Sequence, residues 1–228
     1  MYLKSLHLWE VVEMEAKDRI TEAALDQVLC ERHGALVHRR LKGARVGIAG
    51  LGGLGSNIAM ALTRAGVGAL KLVDFDKVEL SNLNRQHYSL AHLGLYKTEA
   101  LARQLLAVNP YLKLELAPVR INRSNLPQLF AACDILCEAF DVPENKAMLV
   151  NGALELLPQV PVVAGSGIAG YGPANEIITR RMNARLYICG DNHSEIKPEQ
   201  GLMAPRVLVC AAHQANMIVR LLLGENTI

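Results

Sequence analysis

Short apolar runs alternating with helical stretches predict an α/β fold on a doubly wound sheet, parallel in its N-terminal half, with antiparallel strands added after residue 170. Three observations carry that expectation. The alternation begins at residue 45, a glycine-rich turn joins the first run to the first helix, and acidic residues close the second and fourth runs. The spacing places strands at 45–49, 69–74, 112–119, 134–140 and 160–165, with helices near 53–65, 97–108, 125–132 and 144–157. Gly66 stops the first of these helices. Asn109-Pro110 stops the second, because proline disfavours the α region for its predecessor. A stretch holding Gly165, Gly167, Gly170 and Gly172 leads to short strands at 175–181 and 186–189, then to a last helix over 203–223 ended by Gly224.

Upstream, residues 1–34 read as an N-terminal helical segment with seven acidic residues against four basic, and residues 35–228 as the main domain. Ile20, Ala24, Leu25, Val28 and Leu29 recur at helical spacing after Thr21, and Gly34 is the expected stop. That pattern predicts an amphipathic helix covering the body or a dimer partner.

Composition narrows the function classes. The 228 residues carry 24 basic and 22 acidic side chains, and a net charge of +2 gives no general attraction to nucleic acid or membrane. No apolar run approaches the ~20 residues of a membrane span. Charges scattered through the first 20 residues predict no secretory signal. Five cysteines at irregular spacing fit a reduced, cytoplasmic protein better than a disulfide framework.

The chemistry concentrates in four places. In Val46-Gly47-Ile48-Ala49-Gly50-Leu51-Gly52-Gly53-Leu54-Gly55-Ser56, Gly50, Gly52 and Gly55 form a G-x-G-x-x-G between a strand and a helix. This is a Rossmann-like turn, in which glycines (Gly53 with them) let phosphate approach backbone amides at a helix N-terminus. Asp74, 24 residues after Gly50, stands where a carboxylate accepts ribose hydroxyls, in NAD as well as ATP. The run Asp74-Phe75-Asp76 to Ser81-Asn82-Leu83-Asn84-Arg85-Gln86 stays polar, and Asn82, Arg85 and Gln86 suit a polyphosphate. Lys97 opens a helix against its dipole, a conflict that an anionic ligand would remove. Glu138 and Asp141 close the fourth strand, on the same sheet edge as Gly50 and Asp74, and Asp141 there suits magnesium or a helix cap. A triphosphate with magnesium fits this set better than a dinucleotide does. Bringing an anionic nucleophile to 4 Å from a phosphate charge costs ~4 kcal/mol at an effective dielectric of 20. Arg85, Lys97 and a metal on Asp141 would offset that repulsion.

These motifs, with Gly94-Leu95-Tyr96-Lys97, Asn109-Pro110, Val160-Pro161-Val162-Val163-Ala164-Gly165 and Gly201-Leu202-Met203-Ala204-Pro205, make the chain resemble the ThiF/MoeB family of carrier-protein adenylyltransferases, relatives of the ubiquitin-activating enzymes. The match runs from about Arg32 to Gly224. The resemblance implies MgATP as cofactor and adenylation of the C-terminal glycine carboxylate of a ubiquitin-like sulfur carrier, with pyrophosphate released. Carried over, Asp74 holds the ribose with Asp76 beside it, Asn82, Arg85, Gln86 and Lys97 contact phosphates, and Asp141 ligates magnesium. It also implies a homodimer, with Arg32, or Arg39 behind it, lent to the partner's site.

Departures from the family pattern are specific. Val142 and Lys146 replace the usual Asn and Arg after the magnesium aspartate. Only Cys189 survives of the first zinc pair, in Leu186-Tyr187-Ile188-Cys189, so no structural zinc is expected. Lys197 stands where some members carry a covalent cysteine. Cys133 and Cys137 read as core, Cys30 and Cys210 as buried helix residues, and Cys189 as the one that could be accessible. The short, zinc-free form looks most like a ThiF-type protein of thiamine thiazole synthesis with a ThiS-like carrier. Other readings are a dehydratase activating the carboxylate of a tRNA nucleoside, an NAD-dependent oxidoreductase, and a non-catalytic partner subunit.

Overall fold

The computed structural model describes residues 20–195 and 201–228, so the start of the expected helical segment and Lys197 lie outside the described residues. These residues fall into two compact units that divide after Arg40. In the first, the Thr21 hydroxyl caps α1 (Glu22–His33) by accepting the Ala24 amide at 3.1 Å. Gly34, at φ +87°, ends α1 as expected. The chain then enters a helix absent from the sequence reading, α2 (Ala35–Gly43), whose buried His38 reaches Asp26 at 2.9 Å. No residue of α1 is fully buried within this chain, and its apolar side chains are spread around the helix rather than gathered on one face. Cys30 is accordingly only half-buried, not buried as expected.

Among the described residues of the second unit, the sheet has seven strands: β1 (Arg45–Ala49), β2 (Ala69–Val73), β3 (Lys113–Ala117), β4 (Ile135–Glu138), β5 (Val162–Gly165), β6 (Ile178–Arg181) and β7 (Leu186–Gly190). Their order is β3-β2-β1-β4-β5-β7-β6. The antiparallel pairing expected after residue 170 joins β6 to β7, while β7 itself continues the parallel set beside β5. Strand 112–119 shortens to β3 because Pro118 has no amide for the ladder. The first part of 175–181 becomes a 3-10 turn (Ala174–Glu176) before β6.

The helices are α3 (Gly53–Ala65), α4 (Lys97–Val108), α5 (Leu126–Phe130), α6 (Pro143–Leu156) and α7 (Ala204–Leu222). Gly66 terminates α3 in the left-handed region, and Asn109 ends α4 before Pro110. β4 and β5 are buried along their whole length, as parallel strands covered on both faces must be. α3 and α7 pack together and α7 lies along β4, β5 and β7, while α5 and α6 bring Leu126, Phe130, Leu149 and Ala153 to a second core cluster. Each leucine or phenylalanine there contributes roughly 1.5–3 kcal/mol on burial. Direction reverses at β1: β2 and β3 lie on one side and β4 and β5 on the other, which opens a crevice at the strands' carboxyl ends.

Candidate functional site

A cavity of about 920 Å³ occupies that crevice. One wall is the turn between β1 and α3. Gly50 takes φ +88°, and a Cβ there would lie 2.9 Å from the Ala139 carbonyl oxygen of the neighbouring β4 turn. At Gly55 a Cβ would stand 1.9 Å from the Gly50 carbonyl oxygen, so only glycine lets α3 start this close to the strand. No side chain caps α3, and Gly52 and Gly53 line the cavity, leaving the amides of its first turn for a ligand.

Asp74 follows β2 and is nearly buried; its carboxylate accepts the Leu51 amide at 2.7 Å and the Asp76 amide at 2.8 Å. Burial pushes this carboxyl above its ordinary range, against the pull of the Lys97 ammonium and the two amides. Lys97 is buried at the start of α4 and donates to Asp76 at 2.9 Å. The helix-dipole conflict expected at Lys97 is therefore already relieved by a protein carboxylate, and Lys97 is not an exposed cation.

Arg85 lays its aliphatic stem beside Gly53, donates to the Ser81 carbonyl at 3.2 Å and to Asn84 Oδ1 at 2.9 Å, and leaves its buried Nε without a partner. Gln86 sits buried behind Gly52 with Oε1 unpartnered. Asn82 does not reach the cavity wall, because its Oδ1 accepts the Glu79 amide of its own turn at 3.1 Å.

Asp141, after β4, is an exposed residue of the cavity rim, free of partners among the described residues. It is not a helix cap: Val142 takes the cap position of α6. Beneath it, Lys146 donates to both oxygens of the fully buried Glu138, at 2.9 and 2.7 Å, and to the Phe140 carbonyl at 3.0 Å. All its donors are thus engaged within the protein. Burial pushes the Glu138 carboxyl up, and Lys146 opposes that.

A model of the ThiF family matches residues 25–228. The chain belongs to the ThiF family. This bears out the resemblance carried by the motifs. Among relatives of this ThiF-family chain, a molybdopterin-synthase adenylyltransferase of Salmonella typhimurium is 34% identical over 188 residues, covering 80% of this chain and 74% of that protein. The adenylyltransferase and sulfurtransferase MOCS3 of Drosophila virilis is 38% identical over 143 residues, covering 62% of this chain and 31% of that protein. The chain spans about a third of the length of the MOCS3 and UBA4 proteins it matches. In fold it is similar to the crystal structure of Escherichia coli tRNA N6-threonylcarbamoyladenosine dehydratase with ATP, at TM-score 0.80 and 20% identity, covering 90% of this chain and 97% of that one. The MccB structure of Escherichia coli with ATP gives TM-score 0.64 and 26% identity, covering 83% and 58%.

The opposite wall of the ThiF-family cavity comes from segments to which the sequence reading gave no site role. Gly165, ending β5, and residues 166–169 line it, as do Ser194, Leu202 and Val207. Arg206, buried in the first turn of α7, donates to Asp191 Oδ2 and the Gly172 carbonyl at 2.5 Å, and to the Pro173 carbonyl at 2.8 Å. Glu176 lies 3.5 Å from the same guanidinium. Burial alone would raise the Asp191 carboxyl. The Ser194 and His193 amides, the Ser194 hydroxyl and Arg206 outweigh it and hold the carboxyl well below its usual range. Glu176, Asp191 and His193 could gather around a cation, yet Arg206 already occupies that position. The available signal was a lone arginine in an otherwise apolar helix start, Leu202–Cys210.

Cys189, the one cysteine that the sequence left open as accessible, is fully buried in β7 beside Thr179, and burial pushes its thiol up to about 11. Cys133, Cys137 and Cys210 are buried as expected. Arg32 and Arg39 are exposed in the first unit.

Proposed function

We propose that this chain is an ATP-dependent adenylyltransferase that activates the C-terminal glycine carboxylate of a ubiquitin-like sulfur carrier. The observation that carries the reading is one cavity bringing together the uncapped α3 terminus, Asp74, Arg85, Lys97 and Asp141. Its membership of the ThiF family and its similarity to molybdopterin-synthase adenylyltransferases support the same activity.

Asp74 accepts the ribose hydroxyls of ATP. The amides of Gly52, Gly53 and Gly55 receive phosphate oxygens, and the orphaned Arg85 Nε is a donor ready for another. Lys97, poised between Asp74 and Asp76, places its ammonium beside the phosphates. Gln86 backs Gly52, and Asn82 shapes the turn that presents Arg85. Asp141 fits a magnesium ion, being a partner-free carboxylate among phosphate-binding groups, and the bound ion would supply positive charge to the phosphates.

The carrier carboxylate, already ionised and needing no general base, attacks the α-phosphorus. A new P–O bond forms to the carboxylate oxygen while the bond to the bridging oxygen breaks, and pyrophosphate leaves with the electron pair. Arg85 and Lys97 stabilise the charge on the leaving group. Arg32, or Arg39, is offered to the partner's site in a homodimer. The described cysteines are buried or, for Cys30, half-buried, so sulfur comes to the acyl adenylate from another protein. The carrier is ThiS-like, the partner of thiamine thiazole synthesis, in keeping with Leu186 at the first zinc position. The reaction takes place in the cytoplasm.

ATP–pyrophosphate exchange tests this reading. Exchange is expected only when a Gly-Gly-tailed carrier is present, and most strongly with a ThiS-type one. Exchange that no carrier elicits, or that a tRNA elicits in its place, contradicts it.

A further inference from the structure

Behind Asp141 lies a buried ion pair to which the proposed reaction gives no role. Glu138 ends β4 with its carboxylate fully buried, and Lys146 reaches it from the first turn of α6 at 2.7 Å. Taking two charges out of water often costs more than their attraction returns, and an apolar pair of similar volume is commonly as stable. Stability alone is a weak reason for this pair.

The backbone around it supplies a better one. The Glu138 carboxylate accepts the Phe140 amide at 2.7 Å, and the Lys146 ammonium donates to the Phe140 carbonyl at 3.0 Å. The Lys146 amide donates to the Val142 carbonyl, also at 3.0 Å. Residues 140 and 142 are thus tied to the same two residues, and Asp141 stands between them. Further back, Gln214 of α7 donates to the Glu138 carbonyl at 3.0 Å, and the Ala139 amide donates to the Ala49 carbonyl of β1 at 2.9 Å. The Phe140 ring lies against the phosphate turn, where a Cβ at Gly50 would come within 2.9 Å of it. Asp141 lines the cavity with no partner among the described residues.

We propose that Glu138 and Lys146 are positioning residues that fix the backbone around Asp141, so that its carboxylate meets the magnesium and phosphates of bound ATP. The proposal rests on the nucleotide reading above. Lys146 acts through the chain it holds and not by touching phosphate, since its donors are engaged within the protein. A misplacement of about 1 Å near reacting groups costs on the order of 10²-fold in rate, which bounds the expected effect.

Glu138→Gln combined with Lys146→Met tests it, because the double change removes both charges and leaves no buried ion unpaired. With thermal melts confirming the fold, carrier-dependent pyrophosphate exchange should fall on the order of 10- to 100-fold. Calorimetry of the full chain should show ATP binding in EDTA unchanged, and its strengthening by magnesium lost, as in Asp141→Ala. Adding Asp141→Ala to the pair variant should cost nothing beyond Asp141→Ala alone, because the three residues act as a unit. Should the double variant fail to fold, Glu138→Gln alone carries the same cycle. It keeps an acceptor for the Phe140 amide and should show the same non-additivity with a smaller loss. Lys146→Arg, the residue usual in the family, should keep both exchange and the magnesium response. Full exchange in a folded variant, or losses that multiply with that of Asp141→Ala, overturns the positioning role and leaves the adenylyltransferase reading standing. Wild type that shows no exchange with any carrier overturns both.

Discussion

The two walls of the cavity are built in opposite ways. The β1–α3 wall is backbone: the glycines of one short stretch, Gly50–Gly55, bring amides and a helix end to the ligand. The β5–β7 wall is held by side chains from distant segments, with Arg206 of α7 joining Asp191, Glu176 and the Gly172–Pro173 carbonyls. The first wall tolerates no side chain at Gly50 or Gly55, while the second depends on one. Damage to the first should therefore appear in nucleotide chemistry, and damage to the second should appear first in stability.

The largest effect is expected on the rim. Asp141→Ala should lower carrier-dependent pyrophosphate exchange by on the order of 10²–10³-fold. Because the residue is exposed and partner-free, the melting temperature should not change. Retained activity would remove Asp141 from the chemistry. Next, Gly55→Ala forces a Cβ to within 1.9 Å of the Gly50 carbonyl oxygen, so α3 must move and ATP binding should be lost. Calorimetry and thermal melts on the same sample would separate that loss from the ~1–3 kcal/mol of overpacking strain.

The second wall should respond differently. Arg206→Ala leaves Asp191 buried without its cation, a change of roughly 3–5 kcal/mol in denaturant unfolding. A variant as stable as wild type would show that the two walls are not built differently after all. Asp191 also predicts an acid limb. Its folded pKa is depressed below the unfolded value of ~3.9, so its stabilisation is complete above about pH 4 and is lost as the pH falls further. Asp191→Asn should flatten the stability profile in that acid range alone. The smallest effect belongs to Cys189→Ala, which should leave exchange untouched, because the thiol is buried and protonated at neutral pH.

The same contrast explains what was legible in the sequence. Helices 53–65 and 97–108 were read to the residue, because Gly66 and Asn109-Pro110 punctuate them chemically. Gly50, Asp74 and Asp141 could be placed on one edge because they follow strands β1, β2 and β4, and the cavity brings Arg85 and Lys97 beside them. The Asp76–Lys97 pair was not, since the burial of Lys97 depends on how the intervening loop folds back. Nor was the Arg206–Asp191 contact, whose partners are 15 residues apart and meet only through the packing of α7. α2 escaped notice because Gly34 reads as a stop, although a new helix starts directly behind it. Asn82 is held in its own turn by the Glu79 amide and Gln86 is buried behind Gly52, neither of which the polar run of the sequence discloses.

The most direct test of the account is label transfer from ATP to the carrier. With ATP labelled on its α-phosphate, label should appear on a Gly-Gly-tailed carrier as an acid-stable, base-labile acyl adenylate. Label on the γ-phosphate should leave entirely as pyrophosphate. Label reaching the carrier from the γ position, or remaining on free nucleotide with every carrier, would contradict the account.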